Sequence, residues 1–195
     1  MRQGAVSGAA AATAVLLALF LGAALGYVTA SRLPGVTVTS TTTLETPVSG
    51  ARVERVCFSP GGRCSLELLR LFRQANRSIH VMIYSFTLDS LANSLIDATR
   101  RGVEVRVIIE KDNAFARGSE YEKLKAARVN IRLDGNSADM HNKVAVIDGY
   151  ILVTGSFNWS TRAEEDNNEN LIVIVDRRVA KIYEDEFERI WRQAT

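Results

Sequence analysis

The sequence predicts an α/β domain, a mixed β-sheet flanked by helices, preceded by an N-terminal hydrophobic segment and a Thr-rich linker. Three observations carry this. From Val53 to Trp191, short β-branched apolar runs alternate with amphipathic stretches, the pattern of a sheet covered by helices. In the first half the order strand, helix, strand argues for parallel pairing through right-handed crossovers. In the second half Asp148-Gly149 stands between two apolar runs, a hairpin signal and so a sign of antiparallel pairing.

Taken in order, Val53 to Phe58 reads as the first strand. Ser65 is placed to cap a helix carrying Leu66, Leu68, Leu69, Leu71 and Phe72, which Asn76 ends. Ser78 to Phe86 (SIHVMIYSF) is apolar on both faces and reads as a central strand. Asp89 or Ser90 caps a helix over Leu91 to Arg101, with Leu91, Leu95, Ile96 and Thr99 on one side and Gly102 as its left-handed stop. Val103 to Glu110 is a strand, Gly118 to Arg128 a helix and Asn130 to Leu133 a short strand. Lys143 to Ile147, Tyr150 to Thr154 and Leu171 to Val175 follow as strands. The helix Arg177 to Trp191 closes the chain, turning Val179, Ile182, Tyr183, Phe187 and Ile190 to the sheet. No internal repeat is visible.

Residues 1–32 have a different character. Gln3 to Ser31 holds no charged side chain, and Ala14 to Val28 (AVLLALFLGAALGYV) is almost wholly apolar. A soluble helix would show a polar face, so this segment belongs in a bilayer or a translocon. A spanning helix needs about 20 apolar residues and a cleavable signal about 7 to 15. The length favours a transmembrane anchor; the small residues of Val28-Thr29-Ala30 suit a signal peptide cut after Ala30. Either fate carries the domain across the membrane, to a membrane-anchored or secreted, extracytoplasmic location. Arg32, Arg52 and Arg55 argue the other way, because positive residues prefer the cytoplasmic side. Residues 33–50 are rich in Thr and Ser and read as a linker, either a glycosylated stalk or a plain spacer. Residues 51–195 are then one domain, long enough to bury a sizeable core.

Bulk charge does not announce a nucleic-acid binder. Removing Arg2, Arg32 and Glu45 from the chain's 24 basic and 22 acidic residues leaves 22 and 21 from Ala51 onward. Phosphate affinity must come from local clusters such as Arg100-Arg101 or Lys123, Lys125 and Arg128, which read equally as solvated helix faces. Cys57 and Cys64, the two cysteines, flank a Ser-Pro-Gly-Gly turn that lets their side chains meet. In an exported protein they suit a disulfide, and a pair of half-buried thiols is the other reading. Without a nearby His or third Cys they make a poor zinc site.

The chemistry-bearing pattern is His141, Lys143 and Asp148 in HNKVAVID, then GSFN from Gly155, then Glu169 and Asn170 in NNEN. Residues two apart on a strand share a face, so an imidazole and an ammonium stand together as an anion pocket. Imidazole attacks phosphorus to give a covalent phosphoenzyme, splitting one displacement into two. Lys143 steadies charge on the non-bridging oxygens. Ser156 and Asn158 donate to the same oxygens as the phosphate-binding pair, and Gly155 lets the backbone come close. Glu169 is placed to hold the nucleophile's other ring nitrogen. Asp148, the remaining acid of the motif, suits positioning of Lys143 or of the turn.

These residues resemble the HxKxxxxD signature of the phospholipase D superfamily, with its GSxN element following. FSPGG, MIYSFT, RRGVEVRVIIE and MHNKVAVID are similar to its small single-motif endonucleases, a group that includes bacterial periplasmic nucleases. The resemblance covers Val53 to Trp191. It implies a phospholipase D-like mixed sheet, His141, Lys143, Asp148 and Glu169 as the catalytic group, no cofactor and no metal. It also implies a double displacement in which a second histidine protonates the leaving oxygen. This chain has one motif, and its other histidine, His80, lies in an apolar strand without a following Lys. The second histidine is therefore expected from another copy in a homodimer. Nucleic acid is the favoured substrate. A phospholipid such as cardiolipin is the alternative, for which Phe157 and Trp159 are the nearby apolar groups, free also to stack on bases or simply pack. A membrane-tethered protein that binds nucleic acid without turnover is the reading from another class.

Overall fold

The computed structural model describes residues 50–195. The apolar segment and the Thr-rich linker, with the expectations attached to them, lie outside the described residues. Seven strands form one mixed sheet: β1 (Arg52–Ser59), β2 (Ser78–Ile83), β3 (Glu104–Ile109), β4 (Asn130–Leu133), β5 (Lys143–Ile147), β6 (Ile151–Gly155) and β7 (Glu169–Val175), in the order β1-β7-β6-β5-β2-β3-β4. The strands β2, β3 and β4 run parallel, and every other pairing is antiparallel. The helices are α1 (Cys64–Gln74), α2 (Asp89–Arg100), α3 (Lys111–Ala114), α4 (Tyr121–Ala126), α5 (Thr161–Glu165) and α6 (Arg177–Trp191).

Alternation along the strands builds two cores. On one face Ile79, Val81, Val107, Ala145, Val153 and Val173 pack with Leu68 and Phe72 of α1 and Leu91 and Leu95 of α2. On the other, Met82, Ile108, Val144, Val146 and Leu152 lie under Ala180, Phe187, Ile190 and Trp191 of α6. The sheet is thus buried from both sides at its centre, which is why β2 and β5 read as continuous apolar runs. Cys57 and Cys64 are joined, Cα to Cα 5.8 Å, so β1 is tied to the first turn of α1.

Several local expectations are corrected. Helix α1 starts at Cys64, after Arg63 in a left-handed conformation (φ 52°), so Ser65 is inside it; the Ser65 N–H donates to the Glu164 carboxylate at 3.0 Å. Leu88 occupies the cap position of α2, and Asp89 falls in the first turn, bonded to Asn93 and Lys123. Strand β2 ends at Ile83, although the Tyr84 N–H still reaches the Asn142 carbonyl (2.9 Å) in the β2–β5 register, and Phe86 bridges to Trp159. Ile182 is half exposed and does not face the sheet.

Candidate active site

The carboxyl end of β2 and the amino ends of β5 and β7 meet beside the carboxyl end of β6, because antiparallel neighbours bring opposite chain ends together. His141 stands just before β5 with an exposed side chain. Lys143 opens the strand and is 7% exposed. Strand alternation does not link the two, since His141 precedes the ladder. They are linked instead by the Lys143 Nζ, which donates to the His141 carbonyl at 2.8 Å, and by Tyr84. The Tyr84 ring lies 4.4 Å from the imidazole and 4.6 Å from the Lys143 ammonium, centroid to centroid and nitrogen to centroid. Sequence reasoning absorbed Tyr84 into a core strand. The signal it missed was the polar end of that run, where apolar packing stops.

Burial lowers the Lys143 pKa to about 8, opposed by the nearby carboxylates of Glu169 and Asp139. Glu169 opens β7 and accepts from Asn167 Nδ2 at 3.0 Å; the expected bond to the His141 ring is not made, and its influence here is electrostatic, on Lys143. Ser156 Oγ accepts from the Asn170 N–H (3.1 Å) and Nδ2 (3.2 Å), which leaves its own proton free to point outward. Asn158 has a buried Oδ1 without a hydrogen-bond partner. Gly155 (φ 149°) is required, since a Cβ there would meet the Asn170 carbonyl oxygen at 2.2 Å.

Asp148, grouped with the catalytic residues by the family resemblance, is not beside His141 and Lys143. It sits at the far end of β5, roughly 17 Å along the strand from Lys143 at about 3.4 Å per residue. Its buried carboxylate accepts the N–H groups of Asn76 (3.1 Å), Arg77 (2.7 Å) and Ser78 (3.0 Å), fixing the entry to β2. Those three donors occupy the oxygens that a reactive acid would need free. His80 is likewise structural. It is buried on β2, stacked on Phe187 at 4.7 Å, with Nδ1 bonded to Glu184 of α6. Phe157 and Trp159 are 1% and 2% exposed and pack in the core, so neither is available to acyl chains or bases.

A cavity of about 380 Å³ opens at His141, walled by Asp134, Asn136, Asp139, Asn142, Glu186 and Arg189 among others. Beside it a smaller, more apolar hollow of about 270 Å³ is lined by Met82, Ile182 and Tyr183. The sequence shows no clustered ligand spacing, yet the fold brings Glu110, Asp112 and Asp139 together, their carboxylate oxygens within 4.8 Å of one another. Two of Glu110's contacts are backbone amides, Asp112 N at 3.3 Å and Met140 N at 2.6 Å. Among the described residues no helix is long and apolar enough to cross a membrane.

Residues 68–191 match the family described as Cardiolipin synthase, PLD-like domain. The mitochondrial cardiolipin hydrolase of Xenopus tropicalis is 41% identical over 126 residues, 65% of this chain and 60% of that protein, so the chain spans about three fifths of that relative's length. Among solved structures, the phospholipase D family member Nuc from Salmonella typhimurium is 31% identical with a TM-score of 0.66, covering 74% of this chain and 97% of Nuc. NucT from Helicobacter pylori, at 24% identity, shares the fold with a TM-score of 0.68, covering 74% and 98%.

Proposed function

This chain belongs to the phospholipase D superfamily and is a phosphodiesterase, and on that premise we propose that it is a metal-independent endonuclease with His141 as nucleophile. The observation that supports the reading is that the exposed His141, the buried Lys143 and the end of β6 that leads into Ser156 and Asn158 lie at the same end of the sheet. In the first step an imidazole nitrogen of His141 forms a bond to phosphorus as the bond to the leaving oxygen breaks, and that oxygen takes a proton from a second imidazole. In the second step the same imidazole removes a proton from water, water oxygen bonds to phosphorus, and the His141–phosphorus bond breaks. Lys143 and the two donors hold the non-bridging oxygens throughout.

His80, locked between Phe187 and Glu184, is not free to be that second imidazole. A second copy of this chain would supply its own His141 across a two-fold axis. The exposed apolar edge beside the site supports such an assembly. Val56 and Phe58 on β1 are 47% and 64% exposed, and Phe58 stands opposite Asn170 in the β1–β7 register.

The resemblance of FSPGG, MIYSFT and MHNKVAVID to small single-motif endonucleases favours a nucleic-acid strand as substrate. The second reading, hydrolysis of a phospholipid such as cardiolipin by the same steps, is favoured by the apolar hollow next to Asn142 and by the name of the Xenopus relative. One experiment separates them: residues 47–195 are incubated in excess EDTA with single-stranded DNA, RNA and cardiolipin vesicles, with His141→Ala as control. Cleavage of nucleic acid that vanishes in the variant is expected. Turnover of cardiolipin alone would transfer the mechanism to lipid, and turnover that survives in His141→Ala would refute the nucleophile. The apolar N-terminal segment would hold either enzyme at a membrane, which fractionation of the full chain tests.

A further inference from the structure

The Glu110 side chain has no solvent exposure at all, although the chain around it is the surface end of the sheet. A carboxylate is among the costliest groups to bury and is found so deep only where its oxygens are satisfied. Here one oxygen accepts the Met140 N–H at 2.6 Å, and the other accepts Asp112 N–H at 3.3 Å with the Lys111 ammonium 3.8 Å away. Met140 immediately precedes His141.

The sheet ladder stops at Leu133 and resumes at Lys143, so the nucleophile is delivered by a stretch without regular structure. A short loop of this kind would let an imidazole wander by an ångström or more unless its backbone were tied close by. Two ties flank His141. The Met140 N–H is held by Glu110, and the Asn142 carbonyl is held by the Tyr84 N–H at 2.9 Å. The Met140 side chain, 4% exposed against the α6 core, adds a third anchor on the same residue. Glu110 is itself fixed, since its N–H donates to Ile83 O at 3.1 Å and its carbonyl accepts from Asn113 and Ala114.

We propose that Glu110 is a positioning residue for the reaction: its buried carboxylate sets the place of His141 through the Met140 amide. The inference rests on the reading of His141 as nucleophile. A carboxylate brings two acceptor oxygens, one for the Met140 N–H and one for the Asp112 N–H, where an amide of the same volume would bring one. Attack on phosphorus is sensitive to geometry, and a misplacement of about 1 Å costs roughly a hundredfold in rate.

The test compares Glu110→Ala and Glu110→Gln with the wild type, below their melting temperatures, on bis(p-nitrophenyl) phosphate. Glu110→Ala is expected to lose about a hundredfold in kcat with KM within about threefold, because Lys143, Ser156 and Asn158 reach the phosphate from other elements. Glu110→Gln keeps one carbonyl oxygen for the Met140 N–H and is expected to recover to within about tenfold of wild type. A role in stability alone would lower the melting temperature and leave kcat per folded molecule unchanged in both, which would overturn the proposal. So would equal loss in the two variants. Should Glu110→Ala fail to fold, hydrogen exchange on the wild type decides: a Met140 amide protected well above those of Gly135 and Ser137 agrees, and one exchanging as fast overturns it. That measurement does not depend on turnover, so failure of the nucleophile assignment, read from His141→Ala, is distinguishable from failure of this one.

Discussion

The buried ammonium of Lys143 makes the pH dependence of this enzyme calculable. With its pKa lowered to about 8 by burial, Lys143 loses its charge where an ordinary lysine, at 10.5, keeps it. If the charged form is needed to bind the phosphate, kcat/KM falls about tenfold between its plateau and pH 9, against a few per cent for an unperturbed lysine. In the proposed mechanism one imidazole must be neutral and the other protonated, so the histidines shape both limbs of a bell-shaped profile, and the Lys143 contribution is read as the difference between the wild type and Lys143→Arg. Replacing Lys143 with Arg removes the Lys143 part of the alkaline limb, because a guanidinium stays charged throughout, while the plateau drops as the larger fork displaces Tyr84 and the bond to His141 O. The sign for stability is opposite to that for activity. A lysine whose folded pKa lies below its unfolded one opposes folding below about pH 8, and the penalty, up to ~3 kcal/mol, is relieved as pH rises from about 8 to 10.5. Lys143→Met is therefore expected to kill activity yet raise stability by about 1–2 kcal/mol at pH 7, with the gain lost near pH 10.5. A wild-type kcat/KM that stays flat to pH 9.5, or an alkaline limb of the same steepness in Lys143→Arg as in the wild type, would refute the reasoning.

Three other substitutions separate structure from chemistry. Asp148→Ala strips three backbone N–H groups of their acceptor and should cost about 3 kcal/mol in urea melts, while the folded fraction keeps near wild-type kcat. Loss of kcat without loss of stability would return Asp148 to the catalytic set. Gly155→Ala drives a methyl into the Asn170 carbonyl and should both destabilise by at least about 2 kcal/mol and raise KM, by displacing Ser156; calorimetry and saturation kinetics read the two effects. His80→Gln, measured in the same assays, should lower stability through the lost stacking on Phe187 and bond to Glu184 and leave the pH profile unchanged; a shifted profile would make His80 a participant.

Much of this molecule is legible along the chain because its decisive signals are local. Strand β5 and helix α6 fall where a β-branched apolar run and 3.6-residue periodicity put them, and the Asp148-Gly149 turn joins β5 to β6 with both residues at positive φ. The site residues of HNKVAVID and GSFN come together because one hairpin carries both, so sequence distance and spatial distance nearly agree. What escaped depends on remote partners. Asp148 looks like part of a reactive motif until its carboxylate is found on amides 70 to 72 residues away. Glu110 reads as the last residue of a strand, and nothing near it in sequence points to Met140, 30 residues on. Tyr84 is marked only by the polar end of an apolar run, yet it is the surface on which His141 and Lys143 both rest.

The central claim is a covalent bond between His141 and phosphorus. It is tested most directly by quenching the EDTA-treated enzyme in alkali during turnover of a 5′-labelled oligonucleotide and locating any label by mass spectrometry, since a phosphoramidate survives alkali and is lost in acid. The account predicts a nucleotide or phosphoryl adduct on the peptide containing His141, absent in His141→Ala. Undiminished cleavage with no adduct on that histidine, or an adduct on another residue, would contradict it.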